Sequence, residues 1–173
     1  MSVSACAIPE LTQLDPGMVK AAWFRDAFRA PVRRARTGIT EIFLAIFAHH
    51  PMWMKRALIA RNRFVSLFGL DAPSTQEILN FEVKSSYRVG DKIGVWPILA
   101  MSETELIAGR DNKHLDFRLS VLREDKGETA EVVVSTICVV HNVFGKLYLC
   151  LVVPFHKWGL RRLMSNAVAA GRL

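Results

Sequence analysis

The stretch Val132-Val133-Val134-Ser135-Thr136-Ile137-Cys138-Val139-Val140-His141-Asn142, with the run that follows it to Phe155, decides the fold. Taken as one piece, Val132–Phe155 is apolar enough to invite a membrane span, which needs about 20 apolar residues in a row. Its two halves differ in kind. The first is β-branched, which suits a buried strand, and His141-Asn142 marks a turn. The second, Phe144–Ala170, holds helix formers and no acidic residue. His156, Leu160, Leu163, Met164 and Ala167 fall on one helical face, with Lys157, Arg161 and Ser165 on another. A buried strand followed by a long terminal helix is expected, with a kink or break at Pro154.

Upstream, Val89–Lys92, Met101–Thr104, Gly109–Lys113 and Arg123–Glu128 are turn-like clusters. They separate the short β-forming segments Ile93–Ala100, Glu105–Ala108, His114–Leu122 and Thr129–His141. The connections are too short for crossover helices, so antiparallel hairpins follow. Pro97 makes the first of these strands bulged or an edge. Further back, Ile39, Ile42, Phe43, Ile46 and Phe47 form one helical stripe, with Thr37 as N-cap and Glu41 in the first turn. Pro51 ends that helix and opens another carrying Trp53, Ala57, Ala60, Phe64 and Phe68, which closes at Gly69 and Asp71-Ala72-Pro73. Ala21–Ala30, ending at Pro31, predicts a short edge strand, and residues 1–17 an irregular arm. The reading is one α+β domain over residues 18–170: strand, two helices, antiparallel strands, long terminal helix.

The composition agrees with a single core. The chain has 173 residues, 51% hydrophobic and 23% charged, which excludes a disordered chain. Cys6, Cys138 and Cys150 are odd in number and form no CxxC pair, which argues against a disulfide framework or zinc ribbon and for a reducing compartment. The start lacks the features of a signal peptide, so a cytoplasmic location is expected.

The net charge of +7 is unevenly placed. Through Phe68 there are ten Lys/Arg against four Asp/Glu, from Gly69 to Asn142 eight against twelve, and from Val143 onward five against none. Solvated helix faces account for such charge, and so does attraction to an anionic ligand, partner or lipid surface. No motif points to nucleic acid. The expectation is a basic helical side on which Lys55, Arg56, Arg61 and Arg63 stand near Lys157, Arg161 and Arg162. The acidic turns Glu103–Glu105 and Glu124–Glu128 would lie at sheet edges.

For chemistry, strand alternation puts His114, Asp116 and Arg118 on one face and Leu115, Phe117 and Leu119 on the other. If the polar trio faces solvent it is a surface charge network. If it faces inward, Asp116 orients or charges His114 and Arg118 binds an anion. His156 is a further acid/base candidate. Arg118, His141, Tyr148, Trp96 and Phe117 are the candidate ligand-binding side chains, with Tyr148, Val152 and His156 sharing a face if the helix continues through Pro154. No histidine spacing supports a metal site. No nucleophile elbow, phosphate loop or dinucleotide glycine motif is present, so no cofactor is expected.

The run Arg110-Asp111-Asn112-Lys113-His114-Leu115-Asp116-Phe117-Arg118, with Gly145-Lys146-Leu147-Tyr148 and Pro154-Phe155-His156, carries a resemblance over roughly Ala21 to Val168. Phe28–Arg34 and Ile42–Phe47 are similar too. The chain resembles an uncharacterised bacterial family whose domain also occurs behind short-chain-dehydrogenase-like domains, within the START-like helix-grip superfamily that includes polyketide cyclases. The resemblance implies a curved antiparallel sheet wrapped around the C-terminal helix, with an apolar cavity between them. A small hydrophobic or anionic amphipathic ligand is then expected. The alternatives are a cyclase, dehydratase or isomerase using His114 or His156 with Asp116, and a module that docks on a dehydrogenase-like partner.

Overall fold

A computed structural model describes residues 3–33, 37–66, 74–79, 83–127 and 129–173. In chain order the elements are β1 (Ser4–Ala5), α1 (Pro16–Ala21), β2 (Phe24–Val32), α2 (Ile39–Phe47), α3 (Met52–Ser66) and α4 (Thr75–Leu79). They continue with β3 (Lys92–Ile93), β4 (Trp96–Met101), β5 (Glu105–Asp111), β6 (Leu115–Lys126), β7 (Thr129–Val140) and α5 (Val143–Ala169). The described strands form one antiparallel sheet in the order β1-β2-β7-β6-β5-β4-β3. With α5 laid across it, this is the expected helix-grip arrangement.

Strand alternation gives the sheet two distinct faces. The inner face sends Leu106, Ala108, Leu119, Val121, Val132 and Val134 into one cluster with α2 and the second half of α5. All five residues of the expected α2 stripe are buried there, each worth about 1.5–3 kcal/mol of transfer free energy. The outer face carries Ile107 and Ile137, covered by Leu14 and by Ile8, Met18 and Val19 of the N-terminal region.

That region is more ordered than an irregular arm. Asp15 caps α1 by accepting from the Met18 amide at 2.7 Å, and Pro16 sits where its missing N–H costs nothing. Glu105 holds the segment down. Its carboxylate accepts from Thr12 Oγ1 at 2.5 Å, the Gln13 amide at 2.6 Å and Ser120 Oγ at 2.5 Å. Only 1% exposed, Glu105 is therefore a buried anchor and not part of an acidic rim.

Other expectations shift by small amounts. β2 runs through Pro31 to Val32 and is not an edge, since β1 covers Phe28 and Arg29. Gly38, not Thr37, is the N-cap of α2, because the helix starts at Ile39, one residue later than a Thr37 cap would set it. Pro51 stands just ahead of α3, its carbonyl accepting from the Met54 amide at 2.9 Å. The buried side of α3 carries Met54 and Asn62, whereas Trp53, Ala57 and Ala60 are exposed. Gly159 of α5 leaves the space: Met54 Cε lies 3.5 Å from where a Cβ would stand. The Phe64 side chain, Phe68, Gly69 and Asp71-Ala72-Pro73 lie outside the described residues. So does the Glu128 end of the second acidic turn. The Pro97 strand does bulge, at Ile98/Ala100, and Gly94 at φ 59° separates β3 from β4.

The ends of α5 are fastened. Asn142 caps it, Oδ1 accepting from the Gly145 amide at 3.1 Å. A side chain on Gly145 would collide with the His114 carbonyl, so only glycine lets the helix start so close to the entrance of β6. Beyond the other end, Arg172 Nε donates to the Ala45 carbonyl at 3.1 Å and Leu173 is buried.

Candidate binding site beneath the terminal helix

β2 and β7 pair through Phe24↔Cys138, Asp26↔Thr136 and Phe28↔Val134. Directly paired residues share a face, and this row is the inner one, since Phe24 and Cys138 pack with Leu149 of α5 and Phe28 and Val134 join the main core. Asp26 and Thr136 are thus polar side chains set between apolar rows. From above, α5 brings His156, whose Nε2 lies 3.5 Å from Asp26 Oδ1 and whose ring meets Phe24 edge-on with centroids 5.7 Å apart. The Asp26 side chain is 10% exposed and that of His156 23%.

These groups lack the hydrogen bonds that burial normally demands. Among the described residues, Asp26 Oδ1 and Oδ2, Thr136 Oγ1 and His156 Nε2 have no hydrogen-bond partner. Burial, and then the Asp26 charge, push the Cys138 thiol up to about 12. It therefore stays protonated at neutral pH and fills space instead of acting as a nucleophile. Lys157 stands at the margin, with Nζ 5.6 Å from the Phe24 ring centroid. Together the cluster offers a carboxylate that accepts, a hydroxyl that donates or accepts, and an imidazole that does either. Hydroxyl, amine or carbonyl groups match that set.

The family described as Protein of unknown function (DUF2867) matches residues 18–163. The chain belongs to that family. The matched span includes Asp26, Thr136 and His156, so the whole inner cluster lies within the family's domain. No curated protein and no solved structure matches the chain.

The other candidate residues are distributed as follows. Asp116 and Arg118 are the direct partners of Val139 and Ile137, which puts both on the outer face. Asp116 Oδ1 meets His141 Nε2 at 3.0 Å, not His114. Arg118 makes a two-pronged pair with Asp111, its Nη2 2.9 Å from Oδ2. That guanidinium holds the Asp111 carboxyl below its ordinary value. His114 precedes β6 and so escapes the alternation. It sits in the turn whose carbonyl accepts from the His141 amide at 2.9 Å, with Nδ1 3.1 Å from Asn142 Oδ1 and its ring against Phe144. The expected His114–Asp116 pair does not form. Phe117 faces inward between the two core clusters. Trp96 packs edge-on against Phe43 and Phe47 as part of the core. Tyr148 is half-buried, bonded to Arg61 and with the Arg61 guanidinium carbon 5.2 Å from its ring centroid.

Asp26 went unnoticed in the sequence, although a signal was present. In Phe24-Arg25-Asp26-Ala27-Phe28 the alternation puts a carboxylate on the same row as two phenylalanines. A cleft of about 420 Å³ also opens along the same strand, between Cys6–Ile8, Val19 and Arg25–Ala27, on the side of the N-terminal region. Among the described residues no group of three His, Cys, Asp or Glu side chains is placed to hold a metal ion.

Proposed function

We propose that this domain binds a small amphipathic molecule beneath α5, in the manner of START-like ligand-binding domains, with its polar end on Asp26, Thr136 and His156. The apolar remainder lies against Phe24, Phe117, Leu149 and Val153, which already form or pack on one apolar cluster there. The observation that carries this reading is the set of four buried polar atoms with no hydrogen-bond partner among the described residues, Asp26 and His156 meeting only at ion-pair distance. An unsatisfied buried polar atom costs about 1–3 kcal/mol, and a ligand that supplies its hydrogen bond recovers that energy. A thermal-shift screen of hydroxylated and carbonyl-bearing hydrophobic compounds tests it. A hit should raise Tm in the parent and lose that effect in Thr136→Val. A co-structure placing the compound elsewhere would sink the proposal.

The enzymatic reading is favoured by the 3.5 Å approach of His156 to Asp26. In a cyclase, dehydratase or isomerase, that pair would move a proton, with Asp26 taking the part that the sequence reading gave to Asp116. Once a hit is known, turnover that persists in His156→Gln would rule it out. A cytoplasmic, bacterial setting and a dehydrogenase-like partner are part of the same proposal.

A further inference from the structure

The solvent side of α5 is as unusual as its buried side. Val143, Leu147, Leu151, Phe155 and Trp158 recur at helical spacing along one face, and each is 56–71% exposed. A helix in a globular domain normally turns such a stripe inward. Here the opposite side, through Leu149, Leu160, Leu163 and Met164, is the one buried. The stripe widens at its far end, where Trp53 of α3, itself 47% exposed, packs against Trp158 at a 50° tilt with centroids 4.9 Å apart. Exposed apolar surface of this contiguity marks a contact face.

The charge around the stripe selects the occupant. By helical position, Lys146 and Arg161 lie on one flank and Arg162 on the other, all exposed, while Lys157 turns toward Phe24 at the inner margin. No acidic residue occurs from Val143 to Leu173. A second copy of the chain laid on this face would bring the same cations against one another. An anionic bilayer surface complements them, and its headgroup boundary suits tryptophan. No helix among the described residues is long and apolar enough to cross a membrane, so the helix would lie in the surface plane.

We propose that the domain docks on anionic lipid surfaces through the exposed apolar stripe of α5, with Trp158 and Trp53 seated at the headgroup boundary and Lys146, Arg161 and Arg162 on lipid phosphates. The inference is independent of the ligand reading, because the stripe and the inner cluster lie on opposite sides of α5.

Co-sedimentation with vesicles of phosphatidylcholine alone, and of phosphatidylcholine with phosphatidylglycerol in equal parts, tests it. Binding is expected to the mixed vesicles, with a blue shift of tryptophan emission and quenching by brominated acyl chains. High salt should weaken it. Phe155→Glu and, separately, Arg161→Glu/Arg162→Glu should each weaken it by about tenfold or more, with thermal unfolding confirming that the exposed substitutions leave the fold intact. Failure of the parent protein to bind mixed vesicles overturns the proposal. So does equal binding to both vesicle types, or a stable dimer without vesicle binding that Phe155→Glu converts to monomer. The quenching measurement needs no variant, so the proposal is testable even if one fails to fold.

Discussion

On the outer face of the sheet Asp116 meets His141 at 3.0 Å and Arg118 grips Asp111. On the inner face Asp26 and His156 stand 3.5 Å apart, and neither carboxylate oxygen has a hydrogen bond among the described residues. The two faces thus carry similar chemistry in opposite states. The outer groups satisfy one another, partly in solvent, where such pairs contribute about 0–1 kcal/mol. The inner groups are withdrawn from water and left short of partners, where the same atoms are expensive. A histidine–carboxylate pair is therefore informative only together with its burial and its remaining bonds. Asp116 and His141 were each visible in the sequence as candidates, though not as a pair, and the pair they form is the more ordinary of the two.

The largest expected contrast is chemical. Cys138 lies in the inner row with its thiol pushed up to about 12, whereas Cys150 is exposed on α5. At neutral pH a maleimide should label Cys150 about a thousandfold faster than Cys138. Comparable rates in the folded protein would break the comparison at its inner side. Glu105→Ala comes next. It strands Thr12, the Gln13 amide and Ser120, and should cost about 3 kcal/mol or more in denaturant unfolding.

Asp26→Leu should have the opposite sign. It replaces an unsatisfied buried carboxylate with a side chain matched to Phe24 and Leu119, and is expected to raise stability by about 1 kcal/mol while removing ligand response. Destabilisation would show that Asp26 is paid for by contacts within the chain. The smallest effect belongs to the outer network. Because the folded Asp111 carboxyl titrates below its unfolded value, its contribution is present above the unfolded pKa and fades as pH falls through the folded one. With Asp111 more than half exposed, Asp111→Asn should cost less than about 1 kcal/mol at neutral pH and nothing in strong acid. Urea titrations at the two pH values check it.

The long-range frame was legible because it rests on periodicity. The change from β-branched Val132–Val140 to the Leu160–Ala167 helical stripe predicts β7 and α5, and Pro97 predicts its bulge. The failures came where a one-residue displacement changes the answer. His114 reads as a strand residue until the turn is seen to end at Leu115. On α3 the apolar stripe through Trp53 competes with one through Met54, and the gap at Gly159 on another helix decides between them. Glu105 sits beside turn residues and reads as solvated, yet two of its three partners are some 90 residues away in the chain. The inner site failed for the same reason, since Asp26 becomes a partner of His156 only once α5 crosses β2.

The fastening of α5 has a mechanical consequence. A beam clamped at both ends yields at its middle. Asn142 and Gly145 hold one end against the entrance of β6, and Arg172 with Leu173 holds the other near α2. Between the clamps, Pro154 has no amide to give the preceding turn, so the span is weakest two residues before His156. Under the proposed function, a ligand would therefore reach Asp26 and His156 by a bowing of the central turns, with no swing of either end. Stiffening the span with Pro154→Ala would slow entry and exit alike while leaving the equilibrium between them nearly unchanged.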